Sequence, residues 1–184
     1  MVPARSSRST KPPFHCTISR QILTLSDTST GREQAIASAT AMPKYGWRNF
    51  LLRLFGAQVG QNVLLRPTVR ITYPWQLRIG DNVWVGDFVE LYNLGHIEIG
   101  ADAVVSQNSY ICTGSHDYST PSFDIYAKPI VIEPEAWVAA DVFVGPGVRV
   151  GRGAVVGARS TLLTDAPEMM VMAGSPARVI RPRA

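Results

Sequence analysis

The sequence predicts an all-β fold, a parallel β-helix of six-residue repeats over residues 59–167, preceded by a short helix. Aliphatic residues recur at every sixth position, and a small or β-branched residue follows most of them four positions later. A period of six fits neither a 3.6-residue helix nor an alternating strand. It fits short strands joined by sharp corners, with three sides to each coil.

The repeat runs in two blocks. The aliphatic positions of the first block are Val59, Leu65, Ile71, Ile79, Val85, Leu91, Ile99, Val105 and Ile111. Those of the second block are Ile132, Val138, Val144, Val150, Val156 and Leu162. We expect these side chains to fill the prism, and the glycines that often follow them to relax the backbone where the chain turns. Because no coil buries its apolar face alone, we predict about five to six stacked coils.

The breaks in the repeat are as informative as the repeat. The frame slips by two residues near Tyr73-Pro74-Trp75 and again near Leu94-Gly95, and it is lost over residues 116–130. Long loops in compact domains are usually functional or serve assembly. We therefore predict a protruding loop at residues 116–130.

The segments outside the repeat are predicted separately. Residues 1–42 are rich in Ser, Thr and Arg, and we interpret them as a disordered leader, with a targeting peptide or an unusual start site as alternatives. Residues 43–58 contain an amphipathic helix closed by Gly56, which we expect to cap the first coil. Residues 168–184 are predicted to form a C-terminal strand and a basic tail.

The composition limits which ligands and which cell compartment suit the protein. The net charge of +4 is concentrated at the two ends, which suits an anionic small molecule but is too diffuse for nucleic acid. Cys16 and Cys112 form no disulfide framework, so a reducing compartment fits best. No apolar run approaches the roughly 20 residues that cross a bilayer. We therefore expect a cytoplasmic protein without a membrane span.

Several segments resemble the hexapeptide-repeat, left-handed β-helix acyltransferases. The resemblance is nearest to the colanic-acid biosynthesis acetyltransferases, which are related to nodulation and galactoside O-acetyltransferases, and it covers residues 45–181. The segments are 51–57, Tyr-Pro-Trp at 73–75, 90–95, Cys-Thr-Gly-Ser-His-Asp-Tyr at 112–118, 136–140 and 173–180. The resemblance implies a homotrimer with sites between subunits. It also implies transfer from acetyl-CoA, without a metal, to a hydroxyl of a sugar or exopolysaccharide precursor.

His116 is the candidate catalytic residue. It stands where a regular coil ends and the long loop begins. A histidine with a near-neutral pKa can take the proton of a hydroxyl as its oxygen attacks a thioester, and the resemblance implies this role here. An acceptor usually orients such a base, and the sequence leaves Asp117, Asp124 and Glu90 open as that acceptor.

Four residues are candidates for substrate binding: Asn93, Asp117, Tyr118 and Trp137. The resemblance places an asparagine near the acceptor, although Asn93 would also suit a corner whose backbone it satisfies. It places a tryptophan near the pantetheine arm and the histidine of a neighbouring subunit. Trp137 would equally suit an outward aromatic on an assembly face.

Five residues are candidates for binding coenzyme A: Ala140, Ala158, Thr164, Arg178 and Arg181. The resemblance implies backbone contacts to pantetheine at the two alanines. Thr164 stands where the family often has lysine, which weakens a phosphate contact there. The two arginines suit the nucleotide phosphates, or they belong to a solvated tail.

Three other functions compete with this interpretation. A γ-type carbonic anhydrase on the same fold needs three zinc-binding histidines, and His15, His96 and His116 have the wrong spacing. A non-catalytic scaffold or sugar-binding solenoid would not need a histidine-led loop. An acyltransferase with a non-saccharide acceptor, such as an amine, would differ only in the chemistry of the loop.

Overall fold

The computed structural model describes residues 46–184, so the predicted leader, with His15 and Cys16, lies outside the described residues. Within this part of the chain, residues 46–54 are helical and form helix α1, and a left-handed parallel β-helix of about six coils follows. The fold class predicted from the six-residue period is therefore confirmed.

Each side of the prism is one sheet, parallel except for the last strand of sheet B, with strands numbered β1–β19 along the chain. Sheet A contains Gln58–Val59 (β1), Leu77–Ile79 (β4), Ile97–Ile99 (β7), Ile130–Ile132 (β12) and Arg149–Val150 (β15). Sheet B contains Leu64–Leu65 (β2), Trp84–Val85 (β5), Val104–Val105 (β8), Trp137–Val138 (β13), Val155–Val156 (β16), Met170–Gly174 (β18) and Ala177–Pro182 (β19). Sheet C contains Arg70–Ile71 (β3), Glu90–Tyr92 (β6), Tyr110–Cys112 (β9), Phe143–Val144 (β14) and Thr161–Leu162 (β17). Gly114–His116 (β10) and Ile125–Ala127 (β11) form a separate hairpin, and Pro74–Gln76 is a 3-10 turn.

The aliphatic positions of the repeat fill the prism as predicted. Strand pairing stacks each on its counterpart one coil further, as in the column Ile79, Ile99, Ile132 and Val150 of sheet A. These residues form one continuous apolar core, and only Val59 and Ile71 of the first coil are partly exposed. The chain runs from sheet A to B to C, so each coil has an A–B, a B–C and a C–A corner.

The glycines after the aliphatic positions do not act as we predicted. Left-handed backbone at the corners is taken two positions later, mostly by non-glycine residues such as Asn82 and Asp102 with φ of 57° and 59°, and at two corners by Gly147 and Gly153. The glycines are instead required by close stacking of coils. A Cβ at Gly80 would lie 2.6 Å from the backbone nitrogen of Ala101, and one at Gly100 would lie 2.5 Å from that of Pro134.

Helix α1 is fastened to the first coil by polar side chains. Arg48 donates to the carbonyl oxygens of Pro67, at 2.7 Å, and Val69. The amide of Asn49 donates to the carbonyl of Val63 at 2.9 Å.

Arg53, one turn further along α1, donates to the carbonyls of Val59 and Gly60 at 2.9 and 2.7 Å. The first coil has a neighbouring coil on one side only, so its outward carbonyls need donors from elsewhere. Arginine and asparagine side chains of α1 supply them.

The apolar stripe of α1 consequently faces outward. Leu52 is buried against the core, but Trp47, Phe50, Leu54 and Phe55 are exposed. We expected a helix that caps the first coil, and the hydrogen bonds that fasten α1 to that coil come from polar side chains while most of its large apolar side chains face outward. The polar fastening determines which side of the helix faces the prism.

The last coil ends in a chain reversal. Strand β18 continues sheet B in parallel with β16, and β19 returns antiparallel to β18. The guanidinium of Arg183 then donates to the carbonyls of Glu135 and Gly153 at 2.9 and 2.8 Å, so the predicted basic tail is held against the solenoid. Within residues 46–184, no helix has the length and hydrophobicity needed to cross a membrane.

Candidate active site

The long break in the repeat is a β-hairpin that projects from the C–A corner. Strands β10 and β11 pair antiparallel, with His116 opposite Ile125. Thr113 secures the base of the hairpin, because its hydroxyl donates to the carbonyl of Tyr92 and accepts the N–H of Gly95, both at 2.9 Å. His116 is therefore carried on a strand end that is anchored to the preceding coil.

The orienting partner of His116 is a backbone carbonyl. Its Nδ1 lies 2.9 Å from the carbonyl oxygen of Phe123, and the two rings stack at 4.3 Å with an interplanar angle of 10°. Because a carbonyl only accepts hydrogen bonds, Nδ1 must carry the proton in the neutral ring, which leaves the lone pair on Nε2. The imidazole is exposed, so Nε2 is available to a substrate.

None of the three carboxylates proposed as the orienting acceptor has that role in the structure. Asp117 accepts the N–H and hydroxyl of Ser119, at 2.9 and 2.5 Å. The hydrogen bond from the hydroxyl has the larger effect, and together the two bonds lower the pKa of Asp117 below its ordinary value. Asp124 accepts the hydroxyl of Ser122 at 2.7 Å, and Glu90 lies on sheet C, 4.0 Å from Arg70. Nothing in the sequence pointed to Phe123, because a main-chain acceptor has no residue preference.

Two of the predicted substrate-binding residues lie next to the histidine in the hairpin. Asp117 follows it directly, and its carboxylate stabilises the turn through Ser119. Tyr118 is 89% exposed, so its ring is free to meet a ligand or another subunit.

Asn93 does not fit the substrate-binding role predicted for it. Its side chain is fully buried. Its Oδ1 accepts the N–H groups of Thr72 and Tyr73 at 3.1 and 2.9 Å, and its Nδ2 donates to the carbonyl of Tyr73 at 2.6 Å. Its contacts therefore match the alternative interpretation, in which the asparagine satisfies backbone groups at a corner. In the single chain its amide is not accessible to an acceptor substrate.

Trp137 lies on the outer face of sheet B with its indole fixed. The Nε1–H donates to the hydroxyl of Ser106 at 3.0 Å, and 45% of the residue is exposed. Strand pairing places Val155, Val171 and Arg181 next to it in turn on the same face. Three strand spacings separate Trp137 from Arg181, which is about 14 Å.

The residues predicted to bind coenzyme A fall into two groups. Ala140 and Ala158 occupy the B–C corners of successive coils, where the carbonyl of Ala140 accepts the N–H of Arg159 at 2.9 Å. That carbonyl keeps a second lone pair for a ligand. Arg178 pairs with Ala173 at the same corner.

Thr164 is separate from this group. It follows β17 and lies exposed at the C–A corner, the corner of the prism from which the hairpin projects in an earlier coil. Within one chain, Ala140, Ala158 and Arg178 therefore lie at a different corner of the prism from His116, whereas Thr164 lies at the C–A corner.

An aromatic cluster of Tyr92, Tyr110 and Phe143 on the outside of sheet C was not predicted from the sequence. The ring of Tyr110 lies 6.1 Å from that of Tyr92 and 5.7 Å from that of Phe143. Burial, followed by the charge of Cys112 and a hydrogen bond to it, raises the pKa of Tyr110 to about 12. The cluster adjoins the hairpin, because a Cβ at Gly114 would lie 3.2 Å from the Tyr92 ring.

Metal ligands do not converge in the described part of the chain. In residues 46–184, no three His, Cys, Asp or Glu side chains lie close enough together to hold a metal ion. The zinc interpretation also required His15, which lies outside the described residues.

The chain is similar to known acetyltransferases. It is 59% identical over 139 residues to the colanic acid biosynthesis acetyltransferase WcaF of Escherichia coli K12, and the match covers 76% of each chain. It is 29% identical to galactoside O-acetyltransferase of Escherichia coli K12, over 73% of this chain and 68% of that one. No protein-family model matches the chain.

Solved structures agree with the sequence matches. A hexapeptide-repeat acetyltransferase from Vibrio cholerae, in complex with acetyl coenzyme A, superposes with a TM-score of 0.71 at 25% identity over 86% of this chain and 92% of that one. A galactoside acetyltransferase in complex with coenzyme A superposes with a TM-score of 0.70 at 26% identity over 86% of each chain. By its repeat, its fold and these relatives, the chain belongs to the hexapeptide-repeat acetyltransferase family.

Proposed function

We propose that the chain transfers an acetyl group from acetyl-CoA to a hydroxyl of a sugar or exopolysaccharide precursor, with His116 as general base. The observation that carries this proposal is the fixed orientation of the imidazole. Its Nδ1 is held by the carbonyl of Phe123 at 2.9 Å, and its Nε2 is free on the exposed hairpin. A base must present a lone pair at a defined place, and this contact supplies both the tautomer and the direction.

The reaction follows from that geometry. Nε2 of His116 takes the hydroxyl proton while the acceptor oxygen bonds to the acetyl carbonyl carbon. The bond from that carbon to sulfur then breaks, and the proton on Nε2 passes to the departing thiolate. A backbone N–H at the corner near Ala140 would stabilise the oxyanion. General-base help of this kind accelerates a reaction by roughly 10²–10⁴.

The outer face of sheet B is suited to the donor. The strip from Trp137 through Val155 and Val171 to Arg181 is apolar along its length and cationic at its end. An extended pantetheine arm has this combination of an apolar stem and terminal phosphates. Arg181 would meet the phosphates, with Arg178 beside it at the corner. The coenzyme complexes of two structural relatives support this assignment.

The same geometry supports a homotrimer with sites between subunits. His116 projects from the C–A corner, whereas Trp137 lies on sheet B, so one chain does not bring the base to the donor strip. A cyclic arrangement would place the hairpin of one subunit against sheet B of the next and generate three equivalent sites. The outer column of sheet B is apolar enough for such contact: Leu64, Trp84, Val104, Trp137, Val155 and Val171.

A cytoplasmic location fits the free thiol of Cys112.

The acceptor class is tested by a screen that separates esters from amides. The purified full-length protein is supplied with acetyl-CoA and with nucleotide sugars, polysaccharide fragments or amino sugars, and release of free thiol is measured. Products are then treated with mild alkali, which cleaves O-acetyl esters but leaves N-acetyl amides intact. We expect thiol release with hydroxyl acceptors and an alkali-labile product. An alkali-stable product, formed only with amines, would contradict the proposal.

A further inference from the structure

Ser106 takes no part in the proposed reaction, yet its hydroxyl lies at one end of the donor strip. It is half-buried and directly follows strand β8 at the B–C corner. Its Oγ accepts the indole N–H of Trp137 at 3.0 Å. A serine oxygen that accepts this bond still has its own proton to donate. Within residues 46–184 that proton has no acceptor, so the hydroxyl is available to a ligand.

Stacking of the coils does not require a hydroxyl at this position. The residue directly after the inward aliphatic of sheet B is Gly86 in the preceding coil, and Ala139 and Gly157 in the next two. Ala139 belongs to a coil that pairs on both sides without a polar side chain there. The serine therefore supplies a chemical group that the fold itself does not need.

The position of Ser106 along the donor strip determines which part of the donor it meets. Arg181, with Arg178 beside it, lies at the far end, about 14 Å from Trp137. Ser106 lies one coil beyond Trp137 on the opposite side, where its N–H donates to the carbonyl of Val138 at 2.8 Å. A pantetheine arm whose phosphates meet the arginines would have its thioester at the end formed by Trp137 and Ser106.

A main-chain donor lies beside this hydroxyl. Ala140 follows Ala139, which is the neighbour of Ser106 in the adjoining coil, one strand spacing or about 5 Å away. In the described part of the chain, the N–H of Ala140 donates to no acceptor. A carbonyl oxygen held between the two coils would accept hydrogen bonds from both groups.

We propose that the Ser106 hydroxyl is a catalytic hydrogen-bond donor to the thioester carbonyl, together with the N–H of Ala140. This inference rests on the proposed acetyl transfer and adds a residue to it. As the acceptor oxygen bonds to the carbonyl carbon, the π electrons of the C=O bond move onto its oxygen. Ser106 donates to that oxyanion and keeps its proton. When the C=O bond re-forms, the C–S bond breaks and the thiolate leaves. Donors aimed at the oxyanion stabilise the transition state more than the ground state.

Trp137 is a positioning residue for this hydroxyl. Because the indole N–H occupies a lone pair of the Ser106 oxygen, the hydroxyl proton points away from the indole. A hydroxyl that accepts a hydrogen bond is also a stronger donor. The indole thus fixes both the direction and the strength of the bond that Ser106 makes to the carbonyl.

Steady-state kinetics of Ser106 variants are the first test. Ser106→Ala is expected to fold, because alanine occupies the equivalent position at residue 139. It should lower kcat roughly 10²–10³-fold and leave the KM for acetyl-CoA nearly unchanged. Ser106→Thr keeps a hydroxyl and should retain most of kcat. The control Gln107→Ala removes the exposed polar side chain next to it and should behave like the parent. A raised KM with an unchanged kcat in Ser106→Ala would overturn the proposal.

Infrared spectroscopy tests the hydrogen bond without turnover and without a sugar. The ligand is the unreactive ketone analogue of acetyl-CoA in which a methylene replaces the thioester sulfur, labelled with carbon-13 at the carbonyl. Because hydrogen bonding lowers the C=O stretching frequency, we expect a lower frequency in the parent and Ser106→Thr than in Ser106→Ala. Trp137→Phe, which keeps the serine and an aromatic ring, should give an intermediate frequency. Equal frequencies in the parent and Ser106→Ala would contradict the proposal.

The two measurements separate this inference from the proposed function. If no hydroxyl acceptor is acetylated, the proposed function fails, and the infrared frequency still shows whether Ser106 donates to the carbonyl. If hydroxyl acceptors are acetylated and Ser106→Ala keeps the full kcat of the parent, the proposed function stands and the role of Ser106 is refuted.

Discussion

The Nδ1 atom of His116 lies 2.9 Å from the carbonyl oxygen of Phe123, whose ring stacks on the imidazole. One residue thus supplies both a polar and an apolar restraint on the histidine. Phe123 itself has left-handed backbone, with a φ of 50°, close to the start of strand β11. The hairpin therefore orients the imidazole of the proposed base without a carboxylate.

This contact predicts an unusual tautomer for His116. The neutral ring should carry its proton on Nδ1, because the carbonyl of Phe123 can only accept. Nitrogen-15 NMR of the protein labelled at histidine should show a protonated Nδ1 and an unprotonated Nε2 for this residue. The variant His116→Gln identifies the signal by its loss. A proton on Nε2 in the neutral ring would contradict the assignment.

His116→Ala should lower turnover by two or more orders of magnitude and leave binding of coenzyme A largely unchanged, because the base acts on the acceptor and not on the donor. Turnover is measured by thiol release and binding by calorimetry. His96→Ala is the matched control, since His96 is an exposed histidine at the same C–A corner one coil earlier. Equal turnover in His116→Ala and the parent would remove the histidine from the mechanism.

Mixed assemblies should reveal whether the site spans two subunits. His116→Ala lacks the base, and Trp137→Ala is expected to lose donor binding. If each site takes the base from one subunit and the tryptophan from the next, random mixing regenerates about a quarter of the intact sites. Activity is measured after the two variants are unfolded and refolded together. Mixtures no more active than the separate variants would mean that each chain forms its own site.

Tyr110 should titrate late and affect stability at alkaline pH. Its folded pKa of about 12 lies above the ordinary value of 10.0, so the folded state holds the proton more tightly. The resulting stabilisation is present below pH 10 and is lost as the pH rises through about 12. Ultraviolet absorbance should show one late-ionising tyrosine that Tyr110→Phe removes. Tyr118→Phe, a change at an exposed hairpin residue, should leave it in place.

Gly100→Ala should destabilise the solenoid by about 1–3 kcal/mol, because the new Cβ would overlap the backbone of the next coil at Pro134. Chemical denaturation followed by circular dichroism measures the change. Gly46→Ala is the control, since a Cβ there meets no atom within 4 Å. It should leave stability unchanged or slightly raised. A stable Gly100→Ala would mean that adjacent coils can separate at no cost.

The period of the sequence was sufficient to predict the prism. A six-residue spacing identifies which side chains point inward, and Ile99, Ile132 and Val150 stack as that spacing requires. A loop that leaves the solenoid was also predictable, because His116 begins a stretch in which the spacing is lost, but its pairing as a β-hairpin was not predicted. Local periodicity carries this information since each coil repeats the same backbone path.

Other features depend on contacts that the spacing does not encode. The direction of α1 depends on carbonyls of the first coil, which Arg48 and Arg53 reach only in the folded state. The partner of His116 is a main-chain oxygen, to which no residue type corresponds. Asn93 has the residue type of a ligand-binding group, but burial and three backbone hydrogen bonds account for its amide.

The hydrogen bonds that fasten α1 also affect whether solenoids associate end to end. An end coil displays the strand edges that internal coils pair, so the first coil of one solenoid could template the last coil of another. Arg48, Asn49 and Arg53 occupy carbonyl oxygens at one end, and the antiparallel return of β19 covers the edge of sheet B at the other. Loss of the three side chains would leave these carbonyls free to pair with the end of another solenoid. End-to-end aggregation would be the first visible defect.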